Sequence, residues 1–212
     1  MKYMSQKGQD KWLIEEVFSS KRGGFFIDLA ASDGVKFSNT YVLEKYYNWQ
    51  GICIEPNPDF YTKLIKNRNC LCINKCIDFK EQLIEFRFDN GELGGVISED
   101  TDNCLKYRGD QIKKARQINK TALFRTVTLE QVLSDYKAPQ VIDYLSLDVE
   151  GCETRIMSNF PFDKYKFLAV TIERPTPELN QLLFENGYVF VRNSKYDSYY
   201  VHQSIPNFDG IR

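Results

Sequence analysis

At 212 residues with 42% apolar content, the chain can bury one core of ordinary size, and its length argues against two. Lysine and arginine number 28 against 29 acidic residues, so no global field favours nucleic acid or an anionic membrane, and a small-molecule partner is expected. No apolar run approaches the roughly 20 residues of a membrane helix, and the polar start MKYMSQKGQDKW does not read as a signal peptide, so the expected location is cytoplasmic.

A helix is predicted over 5–18, with Ser5 as its N-cap and Trp12, Leu13, Val17 and Phe18 at helical spacing; residues 1–22 form this N-terminal unit. FFIDLA from Phe25 reads as a buried strand ending in a turn at Asp33-Gly34. Ser38-Asn39-Thr40 signal the start of a helix carrying Val42, Leu43 and Tyr46. GICIE from Gly51 reads as a strand, 57–67 as a helix with Pro58 in its first turn, and CLCIN from Cys70 as a third strand. LIEFRF from Leu83 alternates, which suits an exposed or antiparallel strand.

The segment 99–121 is polar, charged on both signs and without periodicity, so a lid or mobile loop is expected. Its Lys106, Arg108, Lys113, Lys114, Arg116 and Lys120 suit either a solvated loop or a cover that binds a phosphate of an acceptor. Thr128 and Gln131 have capping-box spacing; IDYLSLD from Ile142 follows as a strand and 153–160 as a short helix. FLAVTIE from Phe167 is a strand, 177–185 a helix closed by Gly187, and YVFVR with SYYVH a terminal hairpin. Strands alternating with helices predict an α/β fold, a mainly parallel sheet covered on both faces, in a single domain over 1–212.

The six cysteines fall mostly inside strand-like runs, and His202 is the only histidine, so reduced structural thiols are expected in place of a zinc site.

In such sheets ligands sit outside the carboxyl ends of the strands. Asp28 ends the first strand, and Ala30-Ala31-Ser32-Asp33-Gly34 forms a turn of small residues that lets a ligand approach the backbone. Glu55 stands 27 residues after Asp28, at the end of the second strand, where two carboxylate oxygens can take both hydroxyls of a ribose. Asp78, soon after the third strand, offers an acceptor for an adenine amino group, or is a plain turn residue.

Taken in order, FIDLAASDGVKFSNT, GICIEPNP and IDYLSLDVEGCE resemble the FkbM-type methyltransferases, whose signatures are a DxGAxxG turn, an EPN-like motif and a DVEG motif. SQKGQDKW is similar to the SQxGQD opening of one branch of that family, so the resemblance runs from Ser5 to about His202. It implies a Rossmann-like class I fold with a seven-stranded sheet whose last strand is antiparallel. It further implies S-adenosylmethionine as cofactor, S-adenosylhomocysteine as product, and O-methylation of sugars, nucleotide-sugars or secondary metabolites. One departure is Ala30, where the family has glycine; a negative φ there would accommodate the methyl group.

Carried over by position, Asp28, Ala30, Ala31, Ser32 and Gly34 would face the methionine part of the cofactor, with Ser38, Asn39 and Thr40 as nearby polar groups. Glu55 would bind the ribose, Pro56 and Asn57 would shape the adenine side, and Asp148 would sit beside the transferring methyl. A base for the acceptor's proton is sought among Asp148, Glu150, Glu173 and His202. Strand-end carboxylates could also hold a magnesium ion, and a homodimer is left open. The rival readings are a nicotinamide-dependent oxidoreductase, which would show GxGxxG where this chain has AASDG, and a non-catalytic binding or scaffolding protein on the same fold.

Overall fold

The computed structural model describes residues 2–206 and 208–211. Among the described residues, ten strands and seven α-helices follow one another as β1 Phe25–Leu29, α2 Tyr41–Tyr47, β2 Gln50–Ile54, α3 Pro58–Asn67, β3 Leu71–Ile73, β4 Leu83–Arg87, β5 Gly95–Val96, α4 Leu105–Gln117, β6 Thr121–Arg125, α5 Leu129–Asp135, β7 Val141–Leu147, α6 Glu153–Ser158, β8 Lys166–Glu173, α7 Pro177–Glu185, β9 Tyr188–Ser194 and β10 Asp197–His202, preceded by α1 Gln9–Trp12.

Seven of the strands form one sheet in the order β3-β2-β1-β7-β8-β10-β9. Its strands run parallel except that β10 pairs antiparallel with both β8 and β9. The fully buried runs in β1, β2 and β7 follow from this, because a strand covered on both faces has no polar side. On one face lie Trp12, Leu13, Val42, Leu43 and Leu64, with Phe26, Cys53 and Tyr144 from the sheet. On the other lie Leu133, Ile156, Met157, Leu179 and Leu183, with Ile27, Ile52, Leu145 and Val170. Three helices are capped by side chains at their starts. Thr128 is the one read from the sequence, its Oγ1 accepting from the Gln131 amide; Asn57 Oδ1 accepts from the Asp59 amide and Thr176 Oγ1 from the Leu179 amide at helix starts that carried no such reading.

Two expectations are corrected. Ser5 does not cap the first helix: its hydroxyl donates to Asp10, it bridges to Phe37, and α1 opens at Gly8 before continuing as a π-helical turn over Leu13–Val17. The segment 99–121 is not a loop, since most of it is the thirteen-residue α4. Only Ile112 and Ala115 of that helix are buried, too few to write a 3.6-residue period into the sequence. Of its charges, Arg116 pairs with Glu85 on β4. α4 leads into β6, which joins β4 and β5 in a second, three-stranded antiparallel sheet whose Ile84, Phe86 and Phe124 pack against the main core.

The register decides where chemistry can occur. Leu29 lies beside both Ile54 and Leu147, and Leu147 beside Ile172, so β1, β2, β7 and β8 end along one edge. Because β10 is antiparallel, its first residue, Asp197, pairs with Glu173 at that edge, and its last residue, His202, lies at the opposite one.

Candidate active site

A cavity of about 210 Å³ opens at this edge. Asp28 lines it from β1, Ala30, Ala31 and Ser32 from the turn that follows, Ser38 and Asn39 from just before α2, and Glu55, Pro56 and Asn57 from just after β2. Asp148 and Glu150 after β7 and Glu173 at the end of β8 complete the predicted residues that it brings together.

The turn is held by its backbone. Ala30 has φ +59 and Ser32 φ +51, so the negative φ expected at Ala30 is not what the chain adopts. The turn demands the left-handed conformation that glycine supplies freely, and the alanine methyl makes it costly. Gly34, at φ +80, also has no room for a side chain, since a Cβ would stand 2.6 Å from Leu64 Cδ1 and 2.7 Å from Arg68 Cγ. Gly34 and Thr40 stand behind the wall instead of lining it: the Gly34 carbonyl accepts from Arg68, and the Thr40 hydroxyl donates to Asp28 at 2.5 Å. Ser38 Oγ accepts from the Thr40 and Tyr41 amides and so anchors the start of α2.

Glu55 is 4% exposed, and its carboxylate accepts from the Ser32 amide at 2.8 Å and the Asn57 amide at 2.8 Å. Burial pushes its pKa up to about 7 against those two hydrogen bonds. Burial likewise raises Asp28, opposed by the Arg68 charge and the Thr40 hydroxyl.

At the other side of the cavity carboxyl groups crowd together. Burial, with the charges of Glu173 and Glu150, holds Asp148 well above the usual carboxylate range. Burial and Glu173 raise Glu150 to about 8, with Arg174 working against them. Arg174 is the counter-charge: it pairs with Asp102, with Glu173 at 2.8 Å and with Glu150 at 3.6 Å. Glu150 has φ +54 and Gly151 φ +94, so two successive left-handed residues fold this turn. Glu153 fastens it by accepting from the Val149 amide at 2.8 Å and the Gly151 amide at 3.4 Å. A Cβ on Gly151 would meet the Asp102 amide nitrogen at 2.8 Å, so glycine is required for space as well as for φ.

Two carboxylate sets bring oxygens within 4.8 Å of one another, Asp102 with Glu150 and Glu173, and Asp148 with Glu153 and Glu173. Arg174 neutralises the first set and Glu153 of the second is committed to backbone amides, so neither forms an open oxygen cage for magnesium.

Two further predicted residues do not reach the cavity. Asp78 is 1% exposed and its oxygens accept from Arg155, Gln82 and the Phe79 amide, which leaves no acceptor for an adenine. His202 packs edge-on against Tyr188 and hydrogen-bonds Ser204 at the far edge of the sheet. The reading of the strand as a lone hairpin element missed this, because residue position within a strand says nothing of its direction in the sheet.

The sequence reading also missed lining residues. Gln9 and Asp197 are buried in the wall, with Tyr196 beside them. The GQD opening was a signal for Gln9; nothing in the sequence marked Asp197. Residues 91–96 line the cavity too, and Lys36 in the turn pairs with Glu92 there at 2.9 Å. An adjoining hollow of about 270 Å³ shares Leu93, Glu150, Glu173 and Tyr196 and adds Asn103, Arg108 and Arg174.

The chain matches the family described as the Methyltransferase FkbM domain over residues 28–190. No curated protein matches it. Among solved structures, it is similar to FkbM methyltransferase from Methylobacillus flagellatus KT, at 11% identity and a TM-score of 0.49, over 91% of this chain and 50% of that one. It is also similar to TrmK of M. capricolum in complex with S-adenosyl-homocysteine, at 9% identity and a TM-score of 0.45, over 94% of this chain and 68% of that one. A third is an RNA methyltransferase from Salinibacter ruber in complex with S-adenosyl-L-homocysteine, at 14% identity and a TM-score of 0.42, over 97% of both chains. This chain spans half the length of the Methylobacillus protein. The family match covers more than half of the residues, from the end of the first strand to the terminal hairpin, and the chain belongs to the FkbM methyltransferase family.

Proposed function

We propose that the protein is an S-adenosylmethionine-dependent O-methyltransferase acting on a hydroxyl of a small polar acceptor, a sugar, nucleotide-sugar or secondary metabolite. The observation that carries this reading is the placing of Glu55 and of Glu150 with Glu173 on opposite sides of one cavity. The first suits a ribose and the second a reacting hydroxyl.

The cavity wall fits the cofactor. Each Glu55 oxygen accepts one backbone amide, leaving a lone pair on each for two ribose hydroxyls. Ser32 Oγ and Asn39 Oδ1 are buried without a protein partner, and both residues line the cavity. A buried polar atom without a partner is costly unless a ligand satisfies it. When bound, the cofactor supplies an electrophilic methyl group on a sulfonium.

The residues then have separate tasks. Asp28, fixed by Thr40, and the turn through Ser32 would hold the amino-acid end of the cofactor, and Pro56 with Asn57 would flank the adenine. Glu150 would accept the acceptor's proton at a carboxylate oxygen, since a base near its working pH transfers protons most effectively. Arg174 would hold Glu150 and Glu173 in place, and the adjoining hollow would seat the rest of the acceptor, with Arg108 available to a phosphate. Positioning is the main requirement of an in-line methyl transfer, so these fixed groups matter more than any single one.

Calorimetric titration with S-adenosylhomocysteine, followed by methyl-transfer assays over a panel of sugars and nucleotide-sugars, tests the reading. Micromolar cofactor binding with transfer to a hydroxyl is expected. Binding without transfer to any acceptor supports the scaffolding alternative, and no binding refutes the cofactor.

A further inference from the structure

Away from the cavity, three of the six cysteines converge on one buried arginine. Cys53 on β2 is the register partner of Cys72 on β3, and Cys70 precedes β3 with its Sγ 3.5 Å from Cys53 Sγ. Cys53 is fully buried, whereas Cys70 and Cys72 are half-buried, because β3 is the edge strand of the sheet. The Cys53 and Cys70 thiols and the Arg68 charge pull the Cys72 thiol well below its ordinary range, which favours its thiolate form over those of its neighbours. The other cysteines differ. Burial pushes Cys76 up to about 12 and raises Cys152, and Cys104 is buried.

Arg68 joins these thiols to the turn. Its fully buried side chain pairs with Glu44 and donates to the Gly34 carbonyl at 3.2 Å, to Ser38 Oγ at 3.3 Å and to Thr40 Oγ1 at 3.0 Å. It therefore holds both the end of the turn after β1 and the start of α2. The Arg68 charge favours the thiolate form of Cys72, which would add to the negative groups around the guanidinium.

We propose that Cys53, Cys70 and Cys72 form an oxidisable thiol site that takes a hydroperoxide as oxidant and passes its state through Arg68 to the turn at 30–34. The Cys72 sulfur attacks the hydroperoxide: an S–O bond forms, the O–O bond breaks, and the departing oxygen leaves as water or an alcohol after taking a proton. The sulfenic acid is then attacked by Cys53 or Cys70. An S–S bond forms, the S–O bond breaks, and hydroxide leaves with the thiol's proton as water. Two thiols and one hydroperoxide thus give a disulfide, an alcohol or water, and water. A dithiol reductant reverses it. Loss of the thiolate unbalances Arg68 and loosens its grip on Gly34, Ser38 and Thr40.

The experiment treats the reduced protein with stoichiometric hydrogen peroxide, maps the cysteines by alkylation and mass spectrometry, and titrates S-adenosylhomocysteine before oxidation, after it, and after reduction. One disulfide within the trio is expected, with Cys76, Cys104 and Cys152 still free, and Cys72→Ser should slow its formation about tenfold or more. Cofactor-product affinity should fall roughly threefold or more and return on reduction. Oxidation spread evenly over all six cysteines, or a Cys72→Ser protein oxidised at the parental rate, overturns the site. A disulfide that leaves the affinity unchanged overturns the link through Arg68. The affinity arm rests on the cofactor reading above, and a reduced protein that does not bind refutes that reading while the cysteine map still decides this one. The melting temperatures of the two redox forms then test the Arg68 link, with equal values overturning it.

Discussion

The Ser32 amide donates to Glu55 Oε2 at 2.8 Å, so the turn after β1 and the end of β2 are tied to each other through the same carboxylate that faces the cavity. One side chain therefore shapes the wall and offers its remaining lone pairs to a ligand. Glu55→Ala is expected to weaken S-adenosylhomocysteine binding by about 2 kcal/mol, roughly thirtyfold, the loss typical of hydrogen bonds to a charged group. Calorimetry with a melting curve to confirm folding measures it; unchanged affinity in a folded variant would remove the ribose role.

Ala30→Gly is expected to stabilise the protein, against the usual effect of introducing glycine. A left-handed φ of +59 costs an alanine about 1–2 kcal/mol, and the greater freedom of glycine in the unfolded chain returns about 0.5–1 of it. The net gain should be about 0.5–1 kcal/mol, read from chemical denaturation. A variant less stable than the parent would mean that the turn does not hold this strain.

Asp148→Asn and Glu150→Gln keep shape while removing charge and basicity. At least one is expected to lower turnover by about a hundredfold, with no fall in melting temperature. For Glu150→Gln the loss should carry a signature, because a base raised to about 8 gives kcat an ascending limb near that pH, which the variant lacks. Parental rates in both variants, measured on the true acceptor, would dismiss this turn from the chemistry.

Stability should fall as the pH rises through neutrality. Glu55 and Glu153 are raised from 4.5 to about 7, and Glu150 from 4.5 to about 8, each chiefly by burial. The folded state thus binds protons more tightly than the unfolded one at these positions. The stability they contribute is full below pH 4.5 and lost as pH climbs through 7 and 8. Carboxyls lowered by partners, such as Glu85 beside Arg116, act in the opposite sense but at acid pH, below this window. Melting temperatures from pH 5 to 9 should decline, and Glu150→Gln should flatten the upper part of the decline. A curve that rises over this range in the parent contradicts the assignment.

Much of this protein is legible in the chain itself. The apolar runs of β1, β2, β7 and β8, separated by capped helices, are enough to call for a parallel sheet covered on both faces. Glu55, Asp148 and Glu173 announce the edge at which the cavity opens, because strand ends are visible locally as the point where apolar runs stop at a carboxylate. The three motifs in order carry the family. What the sequence does not contain is information that resides in pairing. His202 and Asp197 belong to one six-residue strand, and only the antiparallel pairing of β10 with β8 decides that the aspartate meets Glu173 while the histidine lies at the far edge. Asp78 looks like a free acceptor until Arg155, 77 residues away, folds onto it. The helix over 105–117 stays hidden because its burial rests on two residues and Arg116 finds its partner on β4. The sign of φ at Ala30 is likewise set by the neighbouring strand and the carboxylate of Glu55, contacts between elements that no local pattern records.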